Sequence, residues 1–599
     1  MRVGEGDGRP GRYDGLMVPS FRVESEYVPA ALDGGSWGEL EPLYRGLIDR
    51  PVRGAEDLRR LIHDRSELDA AASEAGSTRY INMTCRTDDP AVKAAYLAFV
   101  EEVQPRLKEV GFELDRKLAA AEGWEGLEPS VYGQYRREVL TAVELFRAEN
   151  IALETELTRL DQQYAELCGQ MSVQFRGREH TLQQMARYQE EPDRATREEA
   201  WRLVAERRLR DRDAVEALFD QMLVLRGRVA RNAGFEDFRA YAFKAKRRWD
   251  YGPEECHAFA EGVERHVVPA LRRLSASRRA ALGVEALRPW DMSVDPKQRP
   301  ALRPFEGGAD LVARSARVFR RMDPSPGGLG ELFDYVARGG VGGSGAASGA
   351  CLDLESRPGK APGGYQANRD RARMPFIFMN AVGVQRDVET MVHEAGHAFH
   401  ALLSRGTPVL YNRAEIPLEF AEVASMSMEL LAKPFLDEFY APAEADRARR
   451  LQAEHRANLL PWVATIDQFQ HWLYTHPGHT RAERRGAWLA LRGRFGEGAD
   501  WTGLDEPHAY LWHRQGHLFG APFYYIEYGI AQLGALQLEG AYRRDPAAAL
   551  AAYKRGLALG ASRPLPELFR SAGIEFDFSP ARIARAWAEV EADLAALPA

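Results

Sequence analysis

At 599 residues the chain is long for a single hydrophobic core, so two or more packed units are expected. A net charge of −8, with 45% hydrophobic and 28% charged residues, is ordinary for a soluble protein and gives no electrostatic reason to expect nucleic acid or an anionic membrane. Cys85, Cys168, Cys256 and Cys351 are far apart and form no Cys-x-x-Cys pair, which implies neither a disulfide framework nor a cysteine metal site and suits a reducing compartment.

In chain order, residues 1–20 are Gly-rich and charged, read as a disordered leader, and lack the apolar core of a signal peptide. No run approaches the roughly 18 apolar residues of a transmembrane helix, and a cytoplasmic location is expected. Residues 21–195 predict an N-terminal helical domain, clearest over 91–118 and 132–175, whose charge runs are solvated helix faces. Residues 196–599 form the second unit. Its opening helical series, 197–274, carries Lys244-Ala-Lys246-Arg247-Arg248-Trp249. Basic residues beside an aromatic can touch nucleic acid, but in an acidic chain a surface cluster is the better expectation. Pro289, Pro296, Pro300 and Pro304 mark extended connectors. The Gly-rich run 339–349 predicts a flexible loop and lacks the Gly-Lys-Ser/Thr ending of a phosphate-binding loop. Apolar runs at 351–355 and 374–379, around the turn 359–365, predict a small β-sheet.

The next stretch contains His393-Glu394-Ala-Gly-His397. Val388, Met391, Val392, Ala395, Ala398, Phe399 and Leu402 recur with helical period. Residues four apart share a helix face, so both imidazoles can reach one metal ion. Glu394 is offset around the helix and can face a metal-held water without coordinating. Gly396 costs helix propensity, which implies close approach of another element. His400 and Leu403 do not continue the pattern as a metzincin would, so the third ligand is expected from a second helix. Residues 416–430 supply it in Glu422, with Pro417 in the first turn. Glu422, Met426 and Glu429 share a face, placing Glu429 to hydrogen-bond a ligand imidazole. Glu415 and Glu419 read as solvated or helix N-terminal residues. Two neutral histidines, one carboxylate and an open fourth position describe a catalytic rather than a structural zinc site.

A second cluster follows at 513–529, with His513, His517, Tyr524, Tyr525 and Tyr528. Peptide hydrolysis builds negative charge on the carbonyl oxygen, and neutral hydroxyl donors suit that charge. Tyr525 and Tyr528 are expected on one helix face, with His517 two turns upstream; a purely packing aromatic stripe is the alternative. His513 and His517 also have metal spacing but lack a suitable neighbouring acid. His471, His476 and His479 read as surface or loop residues.

His393–His400, together with Phe420-Ala-Glu422-Val-Ala-Ser425-Met, resembles the thimet oligopeptidase and oligoendopeptidase F family of zinc peptidases, and is closest to the oligoendopeptidase F branch. The resemblance implies a mainly α, two-lobed molecule with a deep substrate channel and a small sheet beside the zinc helix, whose edge can pair with substrate backbone. It implies one Zn2+ per chain on His393, His397 and Glu422, and Glu394 as the catalytic base. His517, Tyr524, Tyr525 and Tyr528 then face the zinc. The spacing differs by about a residue from the thimet branch, which leaves the principal donor open between Tyr524 and Tyr525. The implied activity is endopeptidase cleavage of short oligopeptides through a Glu-activated zinc-bound water, by a monomer or small homo-oligomer with no nucleic acid or membrane partner. A zinc carboxypeptidase or dipeptidyl carboxypeptidase would need a cation for the substrate carboxylate. A peptide-binding protein without catalysis would have no use for Glu394.

Overall fold

The computed structural model describes residues 27–339, 351–357 and 359–598. The leader at 1–20 and most of the Gly-rich run therefore lie outside the described residues. Helices dominate, as expected, and the two largest apolar cores among the described residues organise them. One gathers Val28 to Val139, including Leu40, Leu58, Leu61 and Leu114, and is closed by Val409, Tyr411 and Ala561 from the far part of the chain. The larger core runs from Leu160 to Leu594 and surrounds the metal-motif helix.

The 91–118 segment is helical from Pro90 to Ala119, with a π-helical turn at Phe99–Val103. Its start is set by Asp89, whose carboxylate accepts from the Ala91 and Val92 amides, and by Pro90 in the first turn. The 132–175 segment departs from expectation. It breaks between helices Pro129–Leu145 and Ala148–Gly169, then ends in strand β1, Ser172–Phe175, paired antiparallel with β2, Arg178–Thr181. Arg176 (φ 50°) and Gly177 (φ 77°) make the two-residue turn, since two successive positive φ values match the twist of a hairpin.

The sheet beside the motif has three strands: β3 (Leu352–Glu355), β4 (Tyr365–Arg369) and β5 (Met374–Ala381), in the order β3-β5-β4. β5 is parallel to β3 and antiparallel to β4. The two apolar runs are thus parallel neighbours, and the hairpin is made by β4 with β5. Phe376 and Phe378 of β5 pack against Ile81 and Cys85 of the long helix Ala55–Cys85, anchoring the sheet to that helix.

The basic run at 244–248 is not a free surface cluster. Lys244 pairs with Glu144 at 2.9 Å, Lys246 lies 3.5 Å from Glu527, Arg247 binds Glu138 and Glu415, and Arg248 is buried against Glu527 at 2.9 Å. Acidic partners from distant segments take up the charge. No helix among the described residues is long and apolar enough to cross a membrane.

Candidate active site

β5 feeds directly into the motif helix, Gln385–Ser404. The carboxylate of Asp387, in the first turn, accepts from the Val382, Gly383 and Val384 amides at 2.8, 2.8 and 3.0 Å, tying the segment that enters the helix to its first turn. The second helix, Leu418–Leu431, starts immediately after Pro417. The two helices touch at Gly396. A Cβ there would lie 2.6 Å from both the Ala424 carbonyl oxygen and Ser425 Cα. Backbone contact of this kind is what a glycine permits, and it brings Glu422 across to the histidines.

Nε2 of His393 lies 3.4 Å, and Nε2 of His397 3.7 Å, from Oε2 of Glu422. One donor atom from each of the three lies within 4.8 Å of the others. Donors on a tetrahedral ion at about 2.1 Å are about 3.4 Å apart, so two imidazoles and a carboxylate fit a zinc-type ion here. Supporting groups hold two of the three donors. Glu429 Oε1 is 2.6 Å from His393 Nδ1, while Glu422 accepts from the hydroxyls of Ser425 at 2.8 Å and Tyr524 at 2.6 Å. Burial works against a charged His393, yet its hydrogen bonds to Glu422 and Glu429 outweigh it and hold the pKa well above the usual value. Burial lowers His397 to about 4. Glu419 is in the first helical turn, as expected, but it is buried and accepts from the Tyr251 hydroxyl rather than facing solvent. Glu415 is exposed and pairs with Arg247.

Glu394 is buried, its Oε2 has no hydrogen-bond partner, and burial pushes its pKa up to about 7. It lines a cavity of about 890 Å³ with His393, His517, Tyr525 and Tyr528. Gly364, just before β4, keeps that side open: a Cβ there would sit 3.2 Å from Thr390 Cγ2 and 3.7 Å from Glu394 Oε1.

His517 is not on the tyrosine helix. It opens a separate short helix, His517–Gly520, and Phe523 at φ 62° turns the chain so that Tyr525 starts helix Tyr525–Arg544. The fold nevertheless brings His517 beside Tyr528, with Nε2 3.2 Å from the hydroxyl. Gln515, which sequence reasoning missed, organises the group. Its Oε1 lies 3.2 Å from Trp462 Nε1 and 3.1 Å from the Tyr525 hydroxyl, and its Nε2 lies 2.9 Å from His517 Nδ1. An indole nitrogen can only donate. Trp462 therefore fixes the amide orientation, the amide nitrogen donates to Nδ1, and the ring proton of His517 resides on Nε2, aimed at Tyr528. The Tyr528 oxygen accepts, so its own proton is not given to His517. Tyr524 points instead to Glu422, with Lys246 Nζ 5.3 Å from its ring centre.

His513 is separate from this group, buried and 3.5 Å from Glu216. His476 is exposed as expected, but His471 is a buried residue of helix Pro442–Thr475. Its long-range packing left no local signal.

The profile of Peptidase family M3 matches residues 187–306 and 341–586, more than half of the chain, including every residue of the site. Over 89 residues the chain is 33% identical to the chromosomal oligoendopeptidase F of Lactococcus lactis subsp. cremoris; that match spans only 14% of either chain. The structure of PZ peptidase A with an inhibitor has a TM-score of 0.87 at 26% identity, covering 96% of this chain and 99% of that one. A structure provisionally named oligoendopeptidase F has a TM-score of 0.85 at 27% identity, covering 94% and 97%.

Proposed function

Because the chain belongs to peptidase family M3, we propose that it is a zinc-dependent endopeptidase that hydrolyses internal bonds of short peptides. The carrying observation is the convergence of His393, His397 and Glu422 donors within 4.8 Å beside a cavity into which Glu394 faces. Zinc on those three residues supplies Lewis acidity, polarising the scissile carbonyl and acidifying water.

The chain's own groups do the rest. Glu394, with one oxygen unpartnered, accepts a proton from the attacking water and delivers it to the departing amine. Tyr528 donates to the carbonyl oxygen as negative charge develops there, because the Trp462–Gln515–His517 chain does not take its proton. Tyr525 donates to Gln515 Oε1 and so steadies the amide that orients His517, and Tyr524 orients Glu422. The backbone at Gly364 and β4 borders Glu394, where an extended substrate can lie by main-chain pairing, a mode tolerant of many side chains. The confined cavity favours short, unfolded substrates, and the free cysteines suit a cytoplasmic setting.

The test is mass spectrometry of products from a defined mixture of short and long peptides, with and without a chelator. Chelator-sensitive internal cuts confined to the short peptides support the reading. Stepwise loss from one end would replace it with an exopeptidase.

A further inference from the structure

A second group of metal-type donors lies in the core, away from the cavity. Cys256, on helix Pro253–His266, meets Asp467 and His471, four apart on helix Pro442–Thr475. One donor atom from each lies within 4.8 Å of the others, and all three residues are buried. Cys256 and Asp467 are wholly inaccessible and His471 is 3% exposed.

The polar groups there are poorly served by hydrogen bonds. Asp467 Oδ1 has no partner, and neither has His471 Nδ1 or Nε2. Nε2 lies 3.4 Å from Asp467 Oδ2, yet the two are not aligned as a hydrogen bond. That separation equals the one between His393 Nε2 and Glu422 Oε2 in the candidate active site. It also equals the edge of a tetrahedral ligand set. Buried polar atoms normally have partners, and three orphans in one cluster call for a cause.

From these contacts we infer that Cys256, Asp467 and His471 form a second, solvent-excluded site for a borderline-soft divalent cation such as zinc. A thiolate, a carboxylate and a neutral imidazole are the donor types such an ion takes. The charges balance as well. Thiolate and carboxylate together cancel a divalent ion, so the complex is neutral in a core where a net charge is costly. The same lack of access rules out Cys256 as a nucleophile towards substrate.

The position gives the site a task. It ties two core helices together, and the His471 ring packs on Phe523 with centroids 5.5 Å apart. Phe523 is the left-handed residue that turns the chain into Tyr524 and Tyr525. A cation here braces the tyrosine segment from behind, independently of the proposed peptidase reading. Since the site is closed, the ion enters as the chain folds.

The experiment is expression of the full chain in cobalt-supplemented medium, followed by metal analysis and near-ultraviolet absorption. The candidate active site offers no thiolate, so sulfur-to-cobalt charge transfer reports the second site alone. Wild type is expected to carry two cobalt ions per chain. The His393→Ala/His397→Ala variant is expected to keep one, with the charge-transfer band, and Cys256→Ser to lose that band. A double variant without cobalt, or with cobalt but no thiolate band, overturns the proposal and leaves Asp467 and His471 as a metal-free pair. Wild-type and double-variant spectra decide the matter even if Cys256→Ser fails to fold. Cobalt present in wild type and lost from the double variant would sink this site while leaving the active-site reading standing.

Discussion

Tyr524 donates its hydroxyl proton to Oε1 of Glu422 at 2.6 Å, while Ser425 donates to Oε2, the oxygen facing His393 and His397. The carboxylate is thus held from both sides before any ion arrives. Supports of this kind typically contribute about 10–100-fold to metal affinity. Tyr524→Phe is therefore expected to weaken zinc binding by about that factor, measured by competition with a chromogenic chelator. Unchanged affinity with a large fall in kcat would move Tyr524 from orienting the ligand to contacting the substrate.

Tyr528 carries a different burden. In the proposed mechanism its oxygen accepts from His517 and its proton goes to the developing oxyanion. Losing one such donor usually costs about 10²–10³ in kcat. Tyr528→Phe should fall in that range with zinc content and KM little changed. Gln515→Leu removes the group that sets the His517 tautomer and should show a smaller loss of the same kind. Full activity in Tyr528→Phe, with loss in Tyr525→Phe, would reassign the donor.

Glu394 is adjacent to a ligand in sequence but is not itself one of the converging donors. Glu394→Gln keeps its shape and removes the basic oxygen. The variant is expected to lose about 10²–10⁴ in turnover and to retain its metal, read by peptide hydrolysis and metal analysis on one preparation. A near-normal rate would refute its role as base.

The legible parts of this site were those encoded within a helix turn or two. His393 and His397 four apart, Glu429 two turns beyond Glu422, and Gly396 as a mark of close approach are local statements, and helical geometry converts them directly into contacts. What stayed hidden depends on partners far along the chain. The charges of Lys246 and Arg248 are answered by Glu527, and the tautomer of His517 is set through Trp462. Cys256 meets Asp467 only across two helices. The hairpin at 172–181 hid for a different reason, since Arg176 is not a residue that advertises positive φ.

Gly396 also links the site to stability. A Cβ 2.6 Å from the Ala424 carbonyl oxygen and Ser425 Cα must push two helices apart at backbone level. Overpacking of that type costs about 1–3 kcal/mol. Gly396→Ala is expected to lower the urea midpoint accordingly and to weaken zinc binding, because separating the helices withdraws Glu422. Loss of stability without loss of metal would mean the helices slide rather than part.

His63 supplies a pH dependence outside the metal site. Its Nε2 lies 2.8 Å from the Tyr132 hydroxyl, its Nδ1 is buried without a partner, and burial, aided by Arg59, lowers its pKa to about 4. The unfolded chain takes up this proton near the ordinary value of about 6.5. Between the two values the unfolded state binds more protons, so stability falls as pH falls from about 6.5 to about 4 and is independent of this group above 6.5. The slope is at most about 1.4 kcal/mol per pH unit, or about 3 kcal/mol across the window. Other depressed histidines, His508 among them, act in the same direction. The informative quantity is therefore the difference between wild type and His63→Gln in urea unfolding free energy across that range. A shallower slope in the variant is expected whatever its stability at neutral pH. Parallel curves would mean that His63 takes up its proton in the folded lobe near the ordinary value, which requires water to reach Nδ1 behind Tyr132.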